Sequence, residues 1–377
     1  MMLKKITILR RIDILSQIIL VAADFSLRFL KNHRLKPAAT VIKLIFSTMP
    51  VVLQKIVLIL LFLILPGISY ATKKPLIVVL DWFVNPNHAP LVITKQMGFF
   101  HEQGLEVTLI SPADASEGEK MVIAGKADIV ITYQPALTYK AAQGLPLVRF
   151  ATLINTPLSC LITLDNNLIN NPKDLKTKKI GVSTRNTESI VLATMLKKVG
   201  LNFKDITPIN VRFNLTQALL SNRIDAFTGG MRNFEPNMIK LAGKKAKVFY
   251  PEQYGFPMYD ELIFVTNKNK IVTTDAVSSP RGAVRGVQKN PNLINFIKAL
   301  QQGTNYLIKN PDTCWKIFAR LYPELNNQLN HDAWFFTMPY FARNPGRLDQ
   351  NRYRNLANFM YREKIITKLP KINDYAI

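Results

Sequence analysis

From residue 76 onward, short unbroken apolar runs alternate with longer amphipathic ones. LIVVL (76–80), LEVTLI (105–110), ADIVIT (127–132) and LVRFATLI (147–154) are runs of strand formers. HAPLVITKQMGFFHEQG reads as helix to about Gln96 and then turns. ASEGEKMVIAG reads as helix, and PALTYKAAQG as a helix stopped by Gly144. Continuous apolar strands between helices predict a parallel sheet covered on both faces. A second block repeats the alternation. It has strands at Lys179–Ser183, ITPINV, IDAFTGG, AKVFY and ELIFVTN, and helices at TESIVLATMLKKVG, LTQALLSNR and FEPNMIKLAG. Gly200 is a natural stop for the first of these helices. The remainder, from NPNLINFIKALQQGTNYLIKN to NRYRNLANFMYREKIIT, is mostly helical, with Pro311-Asp312 opening one helix. The pattern predicts two α/β blocks, about 72–160 and 165–260, and a helix-rich tail.

In such sheets, ligands bind beyond the carboxyl ends of strands. That rule selects Asp81-Trp82-Phe83, Tyr133-Gln134, residues 184–188 and residues 229–233. The first strand runs into LDWFVNPNHAP, an unusual concentration of acid, aromatic, amide and imidazole groups. Asn85-Pro86-Asn87 is also ordinary turn chemistry, and Asn87 can cap the helix beginning at His88.

The N-terminal region changes the domain picture. Ile56 to Leu65 is an unbroken apolar run, preceded by Lys55 and followed by Pro66-Gly67 and Ser69-Tyr70-Ala71. This is the order of a secretory signal. The run is short of the roughly 20 residues that a membrane-spanning anchor needs, although an uncleaved anchor is the alternative. Met49 stands directly before the signal, so residues 1–48 are expected to be a mis-called extension or non-globular segment and 49–71 the signal peptide. Cleavage after Ala71 would place the mature chain in a bacterial periplasm or outside the cell. No cysteine follows closely, which argues against a lipoprotein anchor.

The net charge of +24 invites a nucleic-acid or membrane reading. Residues 1–71 hold 10 basic and 2 acidic residues, so the rest remains basic at +16. Its lysines and arginines are scattered through amphipathic segments, which predicts a solvated basic surface and no nucleic-acid partner. Cys160 and Cys314 could pair in an oxidising compartment or stand as two buried thiols. There is no G-x-S-x-G, H-E-x-x-H or P-loop, and the four histidines lack metal-ligand spacing. No cofactor is expected.

The segments LDWFVNPNHAPLVITKQMGFFHEQGLEVTLI, AGKADIVITY, DLKTKKIGVST, RIDAFTGGMRNFE and YGFPMYDELIFVTN carry a resemblance. Over roughly residues 75–370 the chain resembles periplasmic substrate-binding proteins of ABC importers, in the branch that binds thiamine pyrimidine precursors. It is similar also to taurine and alkanesulfonate binders and to fungal thiamine-pyrimidine synthases. The resemblance implies a type II two-lobe α/β fold with an interlobe cleft. Lobe one would hold 72–161 and 262–377, and lobe two 162–261, with crossovers near Leu161–Asp165 and Asp260–Phe264. It implies a monomer that captures an aminopyrimidine and delivers it to a permease at the inner membrane.

An aminopyrimidine is flat and ringed by donors and acceptors, so a fitting cleft stacks aromatics on its faces and meets its edge with amides or carboxylates. Trp82, Phe83 and Tyr133 are the expected faces, with Tyr254 and Tyr259 from the crossover side. Asn85, Asn87, Asn233 and Glu235 are expected at the edge, with Glu235 on the exocyclic amine. Gly230, with Gly229, would allow close backbone approach, and Thr187 opens a helix whose free N–H groups could take a carbonyl or anion. Each has a plainer reading: Trp82 as core, Gly229-Gly230 as a sharp turn, Thr187 as a cap, Tyr254 and Tyr259 as hinge packing, and Arg232 as an ion-pair partner.

The synthases use a lysine that holds pyridoxal phosphate, a histidine and a cysteine-rich iron-linked motif. Alignment with them puts Thr132 at the lysine, Ala136 at the histidine and no cysteine near Phe256–Leu262. Without the lysine there is no Schiff base, and without soft ligands no iron site. The expectation is a binding protein, with sulfonate or nitrate binding as the first alternative and a synthase-like enzyme as the second.

Overall fold

The computed structural model describes residues 75–114, 117–166, 168–183, 187–271 and 290–377. The signal peptide and the 1–48 extension lie outside these residues, as do Thr184, Arg185 and Asn186.

The first block forms β1 (Leu76–Val79), α1 (Ala89–Gln96), α2 (Phe99–Glu102), β2 (Val107–Ile110), α3 (Glu117–Ile123), β3 (Ile129–Thr132), α4 (Gln134–Ala142) and β4 (Leu147–Ile154). The second forms β5 (Ser159–Leu164), β6 (Lys179–Val182), α5 (Thr187–Lys198), β7 (Thr207–Asn210), α6 (Leu215–Leu220), β8 (Ala226–Met231), α7 (Glu235–Leu241) and β9 (Ala246–Phe249). The chain then returns through β10 (Leu262–Asn267). The tail contains α8 (Pro291–Lys309), α9 (Pro311–Leu321), α10 (Gln328–Thr337), α11 (Gln350–Arg362) and α12 (Ile372–Tyr375). Among the described residues, no helix is long and apolar enough to cross a membrane.

Two five-stranded sheets result, ordered β2-β1-β3-β10-β4 and β7-β6-β8-β5-β9. They are mixed rather than parallel throughout. β10 runs antiparallel between β3 and β4, and β5 runs antiparallel between β8 and β9. These are the two strands that arrive from the opposite sheet, and each enters at the equivalent slot. The first passage between sheets occupies residues 155–158, not Leu161–Asp165. The stretch from Leu158 is buried almost throughout, and its strand already pairs with β8 at Ser159. The second passage lies within residues 250–261, ending where the expected Asp260–Phe264 begins.

The tail completes the first lobe. Phe296 of α8 lies against Phe100 of the α2 turn with ring centroids 5.0 Å apart, and reaches Phe264 of β10 at 5.3 Å. Trp334 of α10 is fully buried in the same core. α11 departs from the assignment of 262–377 to lobe one alone. Its Tyr353 packs with the first lobe, while Leu356 and Met360 pack among Ile190, Met195 and Leu196 of the second. The reason is its position at the hinge. Arg352 donates to the Asn155 carbonyl on one crossover and to the Asp260 carboxylate on the other.

Helices α8 and α1 meet at Gly303. A Cβ built there would lie 2.8 Å from the Thr94 Cα, inside backbone contact distance. Gly303→Ala is therefore expected to cost about 1–3 kcal/mol by overpacking. Chemical denaturation would read this as a lower midpoint with an unchanged slope; a midpoint equal to wild type would show that the helices separate freely.

Candidate functional site

The carboxyl end of β1 builds one wall of a cavity. Asp81 is 7% exposed, and both of its oxygens are held. His88 Nε2 lies 2.8 Å from Oδ1, and the Tyr133 hydroxyl donates to Oδ2 at 2.8 Å. The Asn85 amide donates to His88 Nδ1, which leaves Nε2 to carry the proton toward Asp81. His88 thus orients the carboxylate from behind and is fully buried.

Asn85 caps the short turn Pro86–His88. Its Oδ1 accepts from the Asn87 amide and its Nδ2 donates to the Phe83 carbonyl. Trp82 and Phe83 project across the cleft to Phe213 of the second lobe. The Trp82 ring meets Phe213 edge-on at 4.4 Å, and Phe83 meets it at 4.7 Å.

The facing wall comes from the end of β8 and the start of α7. Gly229 adopts φ +85°, a left-handed conformation that suits glycine. Glu235 opens α7, and its Oε2 accepts from the Met231 amide at 2.6 Å. Burial pushes its carboxyl up to about 7, only partly offset by the Met231 amide and its own amide.

The cavity between these walls has a volume of about 220 Å³. From the first lobe it is lined by Asp81 through Asn85, Asn87 and Tyr133, and from the second by Leu215, Gly229, Met231, Phe234 and Glu235. Leu325 and Asn330 of the tail close it. Its described lining holds two carboxylates and no lysine, arginine or histidine.

Trp82, Phe83, Asn85, Tyr133 and Glu235 are therefore brought together, with Asn87 and Gly229 in the same lining, while Gly230, Asn233, Tyr254, Tyr259 and Arg232 are placed elsewhere. Gly230 faces the second lobe's core, where a Cβ would meet Phe227 at 2.4 Å and Ile162 at 2.9 Å. Its neighbour Gly229 is the one at the cavity. Asn233 is 1% exposed and clasps the lobes together. Its Nδ2 donates to Asn87 Oδ1 at 2.7 Å and to Thr337 Oγ1 at 2.6 Å. Tyr254 packs edge-on toward Phe249, and Tyr259 is buried edge-on against Phe256 at 5.5 Å, so both belong to the packing beside the second crossover. Arg232 forms a two-pronged pair with Glu252 and lies over the Tyr250 ring, outside the cavity lining. Thr187 opens α5. Cys160 and Cys314 are both free and buried.

The strand-end rule selected Met231, which lines the cavity, but sequence reasoning missed Phe213, Leu215, Phe234, Leu325 and Asn330. Phe234 stands between two residues it did select, Asn233 and Glu235. Leu325 and Asn330 follow no strand end, so the rule that found the others is silent on them.

The chain is similar to three relatives over most of its length. A Haemophilus influenzae protein named for thiamine biosynthesis is 40% identical over 318 residues, covering 84% of this chain and 95% of that one. The formylaminopyrimidine-binding protein of Halalkalibacterium halodurans is 26% identical over 249 residues, covering 66% and 71%. The 4-amino-5-hydroxymethyl-2-methylpyrimidine phosphate synthase of Legionella pneumophila is 22% identical over 284 residues, covering 74% and 84%. Among solved structures, the alkanesulfonate-binding protein of Xanthomonas axonopodis pv. citri with MOPS bound superposes with a TM-score of 0.61 at 15% identity, covering 80% of this chain and 97% of that one. The described fold is the two-lobe periplasmic binding protein fold. Residues 85–314 match the NMT1/THI5-like family, and the chain belongs to that family.

Proposed function

We propose that the chain is the substrate-binding component of an ABC importer, working in the periplasm and capturing an aminopyrimidine precursor of thiamine. One observation carries this reading: the described cavity lining combines aromatic rings with two carboxylates and holds no cation. A flat ring bearing hydrogen-bond donors suits such a site. A sulfonate or nitrate would bring negative charge beside Asp81 and Glu235 without a compensating partner. The family's formylaminopyrimidine-binding member supports the same ligand class. Contacts made to both lobes favour the closed state by their differential affinity, and the closed form then docks on its permease.

A synthase role finds less support. Thr132 stands where the synthases' lysine is expected, and its hydroxyl donates to Glu119 at 2.7 Å. Lys140, the nearby amine, is held by the same Glu119 at 2.6 Å. No amine in that cluster is left to form an imine.

Calorimetry tests the reading. 4-Amino-5-hydroxymethyl-2-methylpyrimidine should bind at micromolar affinity or better, with taurine and nitrate silent. Trp82→Ala should weaken binding by about 1–3 kcal/mol, the worth of a buried aromatic face. Tight taurine binding without a pyrimidine response would sink the ligand assignment. Stoichiometric consumption of pyridoxal phosphate would restore the enzyme.

A further inference from the structure

Most polar groups that line the cavity are already engaged inside the protein. Asp81 is held by His88 and Tyr133, and the side-chain oxygens of Asn85 and Asn87 accept from Asn87 and Asn233. Asn330 differs. It lines the cavity, is 3% exposed, and its Oδ1 has no hydrogen-bond partner. A buried acceptor left unpaired is costly, and native structures rarely keep one without a use.

The orientation of this amide is fixed by its surroundings. Asn327 caps α10, and its Oδ1 accepts both the Asn330 backbone N–H and Asn330 Nδ2, each at 3.0 Å. The amide nitrogen is thereby committed to the cap, leaving the oxygen as the free end. The helix beneath it is firmly seated, with Trp334 fully buried and Thr337 bonded to Asn233 of the opposite lobe. Asn330 lines the cavity on its tail side, on a helix held in place at both ends. Glu235 offers its carboxyl from the second lobe.

We propose that Asn330 is a specificity-determining residue of this cavity. Its Oδ1 accepts a hydrogen bond from a second donor on the ligand's side arm, a hydroxyl or an amine, while Glu235 receives the ring amine. This rests on the aminopyrimidine reading and narrows it to rings that carry two separate donors. A ring with one donor leaves this oxygen unpaired. Sites built around a polar contact reject analogues that lack it far more strongly than apolar pockets reject a missing methylene.

Two probes separate the outcomes, 4-amino-5-hydroxymethyl-2-methylpyrimidine and 4-amino-2,5-dimethylpyrimidine, which lacks the hydroxyl. Wild type should prefer the hydroxymethyl compound by at least about tenfold, the worth of a satisfied buried hydrogen bond. Asn330→Leu should erase that preference while binding the dimethyl compound within about twofold of wild type. Asn330→Asp, which keeps an oxygen at the site, should retain the preference even though it loses the bond to Asn327. An Asn330→Leu variant that still prefers the hydroxymethyl compound, or that loses both ligands alike, overturns the proposal. So does equal binding of both probes by wild type, which leaves the aminopyrimidine reading standing. Wild type that binds neither pyrimidine overturns both readings.

Discussion

Arg149→Met is expected to destabilise the fold by about 3–5 kcal/mol, because it leaves several buried oxygens without their donor, at about 1–3 kcal/mol for each one left unsatisfied. Arg149 is fully buried in β4. Its Nη1 donates to the Ile377 carbonyl at 2.7 Å. Its Nη2 donates to Thr152 Oγ1 at 2.8 Å and to the carbonyls of Pro345 and Arg347. The guanidinium also sits 6.0 Å from the centre of the Tyr353 ring. One side chain thus fastens the last stretch of the tail to the edge of the first sheet. Methionine fills the volume but donates nothing, which strands several carbonyls at once. Lysine keeps the charge but not the planar fork, so Arg149→Lys should fall between. Thermal or denaturant unfolding reads the effect. A methionine variant within 1 kcal/mol of wild type would mean that water replaces the guanidinium freely.

The second large effect is a dependence of stability on pH. Glu261 is fully buried at the end of the second crossover, and its Oε2 accepts the Leu158 and Ser159 amides on the first. Burial pushes this carboxyl from its ordinary 4.5 up to about 7, against the opposing pull of the Ser159 and Leu158 amides, the Tyr259 hydroxyl beside it and Arg232. Cys160, Glu235 and Glu252 belong to the same charged neighbourhood. For a raised carboxyl the folded state holds its proton where the unfolded chain releases it. Stability is therefore full below about pH 4.5 and declines until about pH 7, by roughly 3 kcal/mol for this group alone. Glu235 adds a decline of the same sign. Glu261→Gln keeps an oxygen for the two amides and turns an N–H₂ toward Tyr259. Its unfolding midpoint should therefore fall less between pH 5 and 8. A glutamine variant with the full wild-type slope would assign the dependence to other groups.

The strands were legible because their apolar runs are continuous, and four of the first five lie within the predicted segments with little trimming. Strand direction was not legible. Nothing in LVRFATLI or ELIFVTN records that β10 will run against both of its neighbours; that follows from the route the chain takes between lobes. The site was legible where it lies at strand ends, as with Trp82 and Tyr133. It was misread where one residue decides the face. Gly229 and Gly230 are adjacent in a strand, so one turns to the cavity and the other to Phe227. Asn233 carried the right chemistry for a ligand edge, but it lies outside the cavity lining and its amide nitrogen is committed to Asn87 and Thr337. That junction joins residues 146 and 104 positions apart, a distance across which no local pattern reports.

The insertion of β10 between β3 and β4 also sets an order of assembly. β4 pairs in its sheet with β10, so it waits for residues made more than a hundred positions later. The second sheet draws all five strands from one continuous stretch, residues 159–249. As the chain emerges, that lobe can close first. ADIVIT and LVRFATLI meanwhile stay as unpaired apolar edges, the kind of surface on which neighbouring chains associate. The interval between completing β9 and adding β10 and α8 is when this protein is most exposed to aggregation, and when a chaperone would be of most use to it.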